Sequence, residues 1–324
     1  MSFHYLFVLD NRLKWCYHAL NPPGQGKLPG RKAVKNKEDL NMKKLISLVL
    51  SLALVLTLSA ASALTIAVPN DPTNEGRALA ILEENGVIKL KEGAGVLATK
   101  EDIAEFLTAE FELHEVDADV VPSVKGDVDY AFINGNYALD AGIDPRTALL
   151  TETAVGNPYI NVVSVKDGNQ DTDAAKALAA ALKSKQVVDY INEKYSGVVV
   201  SSLTEEELTD GYDATVDYEA LKGQKISIAA TPVPHEEILK DVVAGILAEK
   251  GIELEVVEVT NYTTPNDLVE AGDVFANYFA HQPYQDSYNE GNGTHLVTIA
   301  GIHVEPMGLY AGQQSDLTAL GIAK

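Results

Sequence analysis

From residue 64 onward the chain repeats one local pattern: a short β-branched apolar run, a turn rich in Asn, Pro and Gly, then a segment of helical spacing. LTIAVPND (64–71), YAFINGNY (130–137) and KISIAATPVPH (225–235) all follow it. Strands that alternate with helices need a sheet covered by those helices, and the strand-end loops of such a sheet are where ligands sit. The pattern therefore predicts an α/β protein.

In more detail, residues 64–68 read as a strand and PNDPTNEG as a turn, with a helix over 77–85 stopped by Gly86. A second helix is expected over 101–107, strands over 111–116 and 130–133, and a strand over 161–165. Residues 172–195 read as one long amphipathic helix. The acidic stretch 201–224 has no strong apolar period and reads as a linker. A second unit follows: strand 225–229, helix 236–250, strand 253–259, a helix near 265–270, and strands near 296–299 and 307–310.

What precedes residue 64 has a different character. Residues 42–63 combine a Lys43-Lys44 start, an apolar run and an Ala61-Ser62-Ala63 end, the composition of a secretory signal peptide. The basic, Pro/Gly-rich residues 1–41 read as a spurious translated extension ahead of Met42. An exported protein, periplasmic or at the cell surface, is expected. The formal net charge of −22 argues against nucleic acid or an anionic membrane surface as partner. Cys16 is the sole cysteine, so neither a disulfide framework nor a cysteine metal site is expected downstream.

PNDPTNEGRAL, INGNYAL, NPYINVV, ANYFAHQPY and HVEPMGLY together resemble the methionine-binding family of ABC-importer substrate-binding proteins, the MetQ/NlpA-type lipoproteins. The resemblance implies a two-lobed periplasmic-binding-protein clamp (type II-like) whose halves occur in circularly permuted order, produced either by permutation or by a rearranged tandem gene in which a deleted first copy runs into a truncated second. Family members begin with the KISIAATPVPHEEIL-like strand and helix and enter the PNDPTN segment later. It places lobe 2 at 64–150 and lobe 1 at 151–324, the latter including the linker 201–224. The leader would then join at an inter-lobe crossover, leaving the lobes linked chiefly near 151–165 with a loosened hinge. The family is anchored through a lipidated Cys after its leader; here Leu64 follows Ala63, which puts a lipid anchor in doubt.

The same resemblance implies the ligand-binding residues. A buried zwitterion needs its carboxylate paired, and Arg77 offers a planar bidentate guanidinium for it. Asn134 and Asn161 match the family's ligand-binding asparagines, with Asn136 and Asn74 ranked behind them. Tyr262, Phe279 and His281 match positions that enclose a thioether side chain. The implied partners are L-methionine or a similar amino acid and the permease and ATPase of an ABC importer. A clamp for another small amino acid or dipeptide, or a non-transport sensor or surface protein, is the alternative. No cofactor or metal is implied. No G-x-S-x-G, H-E-x-x-H or P-loop motif occurs, so no enzyme is expected.

Overall fold

The computed structural model describes residues 63–323. The expected extension over 1–41 and all but the last residue of the expected signal peptide lie outside them. Among the described residues no helix is long and apolar enough to cross a membrane.

The strands form a five-stranded sheet, a six-stranded sheet and a two-stranded ribbon. In the first sheet β1 (Leu64–Pro69) is flanked in parallel by β4 (Phe111–Val116) and β5 (Tyr130–Ile133). β13 (Gly308–Ala311) then pairs antiparallel with β5 and with β6 (Leu150–Thr151). In the second sheet β9 (Lys225–Ala230) lies parallel to β10 (Glu253–Glu258) and β11 (Ala276–His281). β7 (Asn161–Lys166), β12 (Leu296–Val304) and β8 (Val200–Ser201) continue it antiparallel.

Each sheet has its own core. Ile66, Leu79, Leu82, Phe132 and Leu309 pack in lobe 2, and Val163, Leu178, Ile191, Ile228 and Ile302 in lobe 1. The lobe boundary differs from the expected one. Lobe 1 ends with β12, and residues 308–323 return to lobe 2, where Leu317 and Leu320 join the core of Ile66. Two segments therefore connect the lobes, 152–160 and 305–307: the first falls within the stretch 151–165 expected to be the chief link, and the second adds to it. β1 and β13 belong to one sheet, so the chain begins and ends its described course inside lobe 2 and not at a crossover.

Four local expectations also change. PNDPTN is no free turn: α1 (Pro72–Glu84) starts inside it, because Asp71 caps the Asn74 N–H and Pro72 suits the first helical position. Residues 101–107 form a 3-10 turn (Lys100–Asp102) and strand β3 (Ile103–Phe106), not a helix. β3 pairs with β2 (Ile88–Leu90) through a bulge, so Ile103 and Phe106 face the same side despite their helix-like spacing. The long helix over 172–195 is two, α4 (Asp173–Leu182) and α5 (Lys185–Tyr195), since the buried Ser184 caps the second. The linker is a packed part of lobe 1: Val216 and Leu221 are buried in its core, and Lys250 stacks 4.1 Å from the Tyr212 ring.

Candidate functional site

The carboxyl ends of the parallel strands in both sheets converge on one cavity between the lobes, the position expected for a ligand in an open α/β sheet. It is lined by Asn74, Arg77, Asn134, Gly135, Asn136 and Glu305 from lobe 2 and the crossover, with Asn161, Tyr262, Phe279, Ala280, His281 and Tyr284 opposite. All six residues expected at the site, Arg77, Asn134, Asn161, Tyr262, Phe279 and His281, thus meet there. The enclosed volume is only about 10 Å³, room for roughly one water. Anything larger would enter only by parting the lobes.

Three bonds hold the lobes together over the cavity. Tyr262 donates its hydroxyl to Asn136 Oδ1 at 2.6 Å, Tyr137 donates to the Thr260 carbonyl at 3.1 Å, and His281 Nε2 lies 3.1 Å from Asn74 Oδ1. Each net bond of this kind contributes about 1 kcal/mol, so closure is a shallow bias.

The amide orientations follow from one carboxylate. Asp71 can only accept, so it takes Nδ2 of Asn74. Asn74 Oδ1 must then face the other way, where it accepts from Nδ2 of Asn134 at 2.8 Å. That leaves Asn134 Oδ1 buried with no hydrogen-bond partner. Asn161 is fixed the opposite way round: its Oδ1 sits 2.9 Å from His235 Nε2, which turns its Nδ2 toward the cavity.

Arg77, buried in α1, is not idle. Its Nε and Nη2 pair with the carboxylate of Glu152, Nη2 also donates to the Glu305 carbonyl at 2.8 Å, and the guanidinium lies 4.5 Å from the Tyr159 ring. Nη1 takes no part in these bonds. His281 accepts the Tyr284 N–H at Nδ1 and so caps α9 (Gln282–Asn292). Burial, and then Arg77, push its pKa well below the ordinary imidazole range. The opposite wall is aromatic: Tyr262 lies 5.9 Å from Phe279 and from Tyr284, centroid to centroid.

Glu305, Glu152 and Tyr159 were not among the expected site residues. Glu305 stands in the HVEPMGLY motif, so a signal existed; nothing in the sequence marks Glu152, an isolated acid at a strand end. Glu305 is 4% exposed. His303 Nε2 lies 2.6 Å and His235 Nε2 3.3 Å from its Oε1. Burial opposes its ionisation, but the two histidines and Arg77 hold its pKa below the usual carboxylate range. His235 itself is pushed down to about 3, mainly by burial.

A family model described as NlpA lipoprotein matches residues 59–203 and 226–322. The membrane lipoprotein TpN32 of Treponema pallidum is 40% identical over 132 residues, 41% of this chain and 49% of that protein. The D-methionine-binding lipoprotein MetQ of Escherichia coli K12 is 34% identical over 137 residues, 42% of this chain and 50% of that protein. The chain thus spans about half the length of the curated relatives it matches. Among solved structures, a nutrient binding protein from Burkholderia cenocepacia bound to methionine is 40% identical, with 44% of this chain and 59% of that chain covered at a TM-score of 0.41.

Proposed function

We propose that this chain, which belongs to the NlpA lipoprotein family, is an extracytoplasmic solute-binding clamp that captures methionine between its lobes and delivers it to an ABC importer. The family is one of substrate-binding proteins rather than enzymes. The observation that carries the reading is the convergence of Arg77, Asn134, Asn161, Tyr262, Phe279 and His281 on one inter-lobe cavity. Its polar groups gather at one side and its rings at the other, as an amino acid with an apolar tail requires. Arg77 Nη1 and Asn161 Nδ2 would donate to the ligand carboxylate. Tyr262 and Phe279 would flank the thioether, where each sulfur–aromatic contact is worth about 0.3–1.5 kcal/mol.

Ligand that touches both lobes favours the closed form by the difference in its affinity for the two states. The closed surface would be what a permease recognises. Export follows from the leader-like residues 42–63, and membrane association would come through the transporter. The circularly permuted order is supported by the family match in two stretches and by pairwise alignments that stop at half of each relative.

Isothermal titration of L- and D-methionine, against leucine, glycine and a methionine dipeptide, tests the reading. Saturable binding of either methionine enantiomer above the others is expected. Tighter binding of a different amino acid or of the dipeptide would replace methionine as the ligand, and no binding at all would remove the function.

A further inference from the structure

Both lobes converge on a single oxygen, Oδ1 of the buried Asn74. It accepts from Asn134 Nδ2, just after β5 in lobe 2, at 2.8 Å, and His281 Nε2, at the end of β11 in lobe 1, lies 3.1 Å from it. His281 faces it as a donor. Nδ1 of that ring accepts the Tyr284 N–H, and the ring is kept neutral by burial and then by Arg77, so its proton sits on Nε2. Both lone pairs of the Asn74 oxygen are therefore in use.

An amide can turn over without changing its shape. Reversed, Asn74 would set Nδ2 against two donors, one from each lobe, and the bond across the cleft would become a repulsion. Asp71 stands against that reversal, although it is not among the residues that line the cavity. Its Oδ1 accepts the Thr73 hydroxyl at 2.8 Å, the Asn74 N–H at 3.0 Å and Asn74 Nδ2 at 3.0 Å. Among the described residues its Oδ2 bonds to Asn74 Nδ2 alone, at 2.9 Å. The first oxygen caps α1; the second has no part in the cap and holds only the amide. Asp71 also lies close enough to lobe 1 to be felt there: burial, and then the Asp71 charge, raises the pKa of the Tyr284 phenol.

We infer that Asp71 is a positioning residue of the clamp: by fixing the amide of Asn74 it sets the polarity of the Asn74–His281 bond between the lobes, and with it how tightly the cleft closes on its ligand. This rests on the amino-acid clamp proposed above and adds to it a residue outside the cavity wall. A helix cap alone needs one acceptor. The second acceptor of Asp71 is what the lobe contact needs.

The test uses the full chain with Asp71→Asn, His281→Asn or both. Asp71→Asn keeps a capping oxygen but turns the second acceptor into a donor that opposes Asn74 Nδ2; asparagine caps a helix about as well as aspartate. His281→Asn likewise suits the cap of α9 while giving up the Nε2 bond. In ligand-free protein the side-chain amide protons of Asn134 should exchange with water at least about tenfold faster in Asp71→Asn than in wild type. Asn74 and Asn134 share lobe 2, so this readout does not depend on closure or ligand. Unchanged exchange would overturn the proposal whatever the affinities. By calorimetry Asp71→Asn should weaken methionine binding about tenfold, but no more than about threefold in the His281→Asn background. An equal loss in both backgrounds would overturn the route through Asn74 and His281. The melting temperature of Asp71→Asn should stay within about 3 °C of wild type; a larger fall without the coupling would mark a structural role alone and overturn the proposal. If wild type binds no methionine, the clamp reading fails and the Asn134 exchange alone decides whether Asp71 sets the amide. If Asp71→Asn does not fold, Asp71→Ser, with one capping oxygen and no second acceptor, carries the same expectations.

Discussion

Arg77 reaches the cavity with its guanidinium already gripped by Glu152 along one edge, leaving Nη1 for something else. A free arginine would sample many rotamers and lose that entropy on binding, whereas this one is held in place by Glu152, Tyr159 and the Glu305 carbonyl. Arg77→Ala removes the cation and leaves the half-buried Glu152 unpaired by it beside the incoming carboxylate. Methionine affinity should fall by about 3–5 kcal/mol, as when one partner of a buried ion pair is deleted. Calorimetry on the variant checks this, and unchanged affinity would take Arg77 out of the site.

Stability should decline on mild acidification. His235 and His281 hold their pKa values far below the ordinary 6.5 because both are buried. The unfolded chain then binds protons near pH 6.5 that the folded chain refuses, so unfolding becomes easier as pH falls below that point. With about 1.4 kcal/mol per pH unit for each histidine, the two together should remove about 2 kcal/mol or more between pH 6 and pH 5. Glu305, with its pKa lowered, adds to the loss only below the range in which an unfolded glutamate titrates. Urea unfolding at pH 7, 6 and 5 measures the slope. A flat or rising profile would mean that the histidines are not buried as neutral groups.

Much of this arrangement was legible in the sequence, for a physical reason. Asn134, Asn161 and His281 are reached through the family motifs that contain them. Composition adds only that they stand at strand boundaries, Asn134 just after β5, Asn161 at the start of β7 and His281 at the end of β11, where β-branched residues give way to Asn, Pro and Gly. Tyr159 stands in the NPYINVV motif and so carried a signal, whereas Glu152 could not be read in the same way, because its role comes from a crossover that folds back on α1. The helix boundary at Ser184 was hidden by apolar spacing that runs on through both helices. The Ile103–Phe106 strand was misread because a bulge puts helix-spaced residues on one face. The lobe boundary was missed because β13 returns to lobe 2 after only three crossover residues, too few to show as a change of composition.

Gly135 is set by steric need alone, since nothing unusual is recorded in its backbone. An alanine there would place its methyl 2.8 Å from Glu305 Cβ and 3.4 Å from the Glu305 backbone. Either the crossover moves away or α3 (Gly135–Asp140) does, and overpacking of this kind costs about 1–3 kcal/mol. Gly135→Ala should therefore lower the melting temperature and weaken methionine binding together. Gly126→Ala, at a position with open space around the missing Cβ, should do neither. Thermal melts with and without methionine separate the two variants. Full affinity in Gly135→Ala would show that Glu305 can shift without affecting the ligand.

The order of the halves bears on how tightly the clamp closes. A chain cut at an inter-lobe crossover would lose one of its two hinge segments and with it the geometry that returns each lobe to the same closed pose. Here both hinge segments, 152–160 and 305–307, are continuous, and the connection that the proposed permuted order would rearrange lies between β13 and β1, which sit in one sheet with β5 between them. The other junction of the proposed order, 201–224, is anchored in lobe 1 by Val216 and Leu221. Neither junction touches the cavity or the hinge. A relinked variant, with the segment after β13 joined to β1 and the chain opened within 201–224, should bind methionine within about threefold of the parent, a difference under 1 kcal/mol. Its closing rate should also match, because the Tyr262–Asn136 and His281–Asn74 contacts are the same in both. Stopped-flow fluorescence and calorimetry on the pair measure these quantities. A relinked protein that bound ten times more tightly would place a hinge constraint at one of the two junctions, contrary to the sheet order seen here.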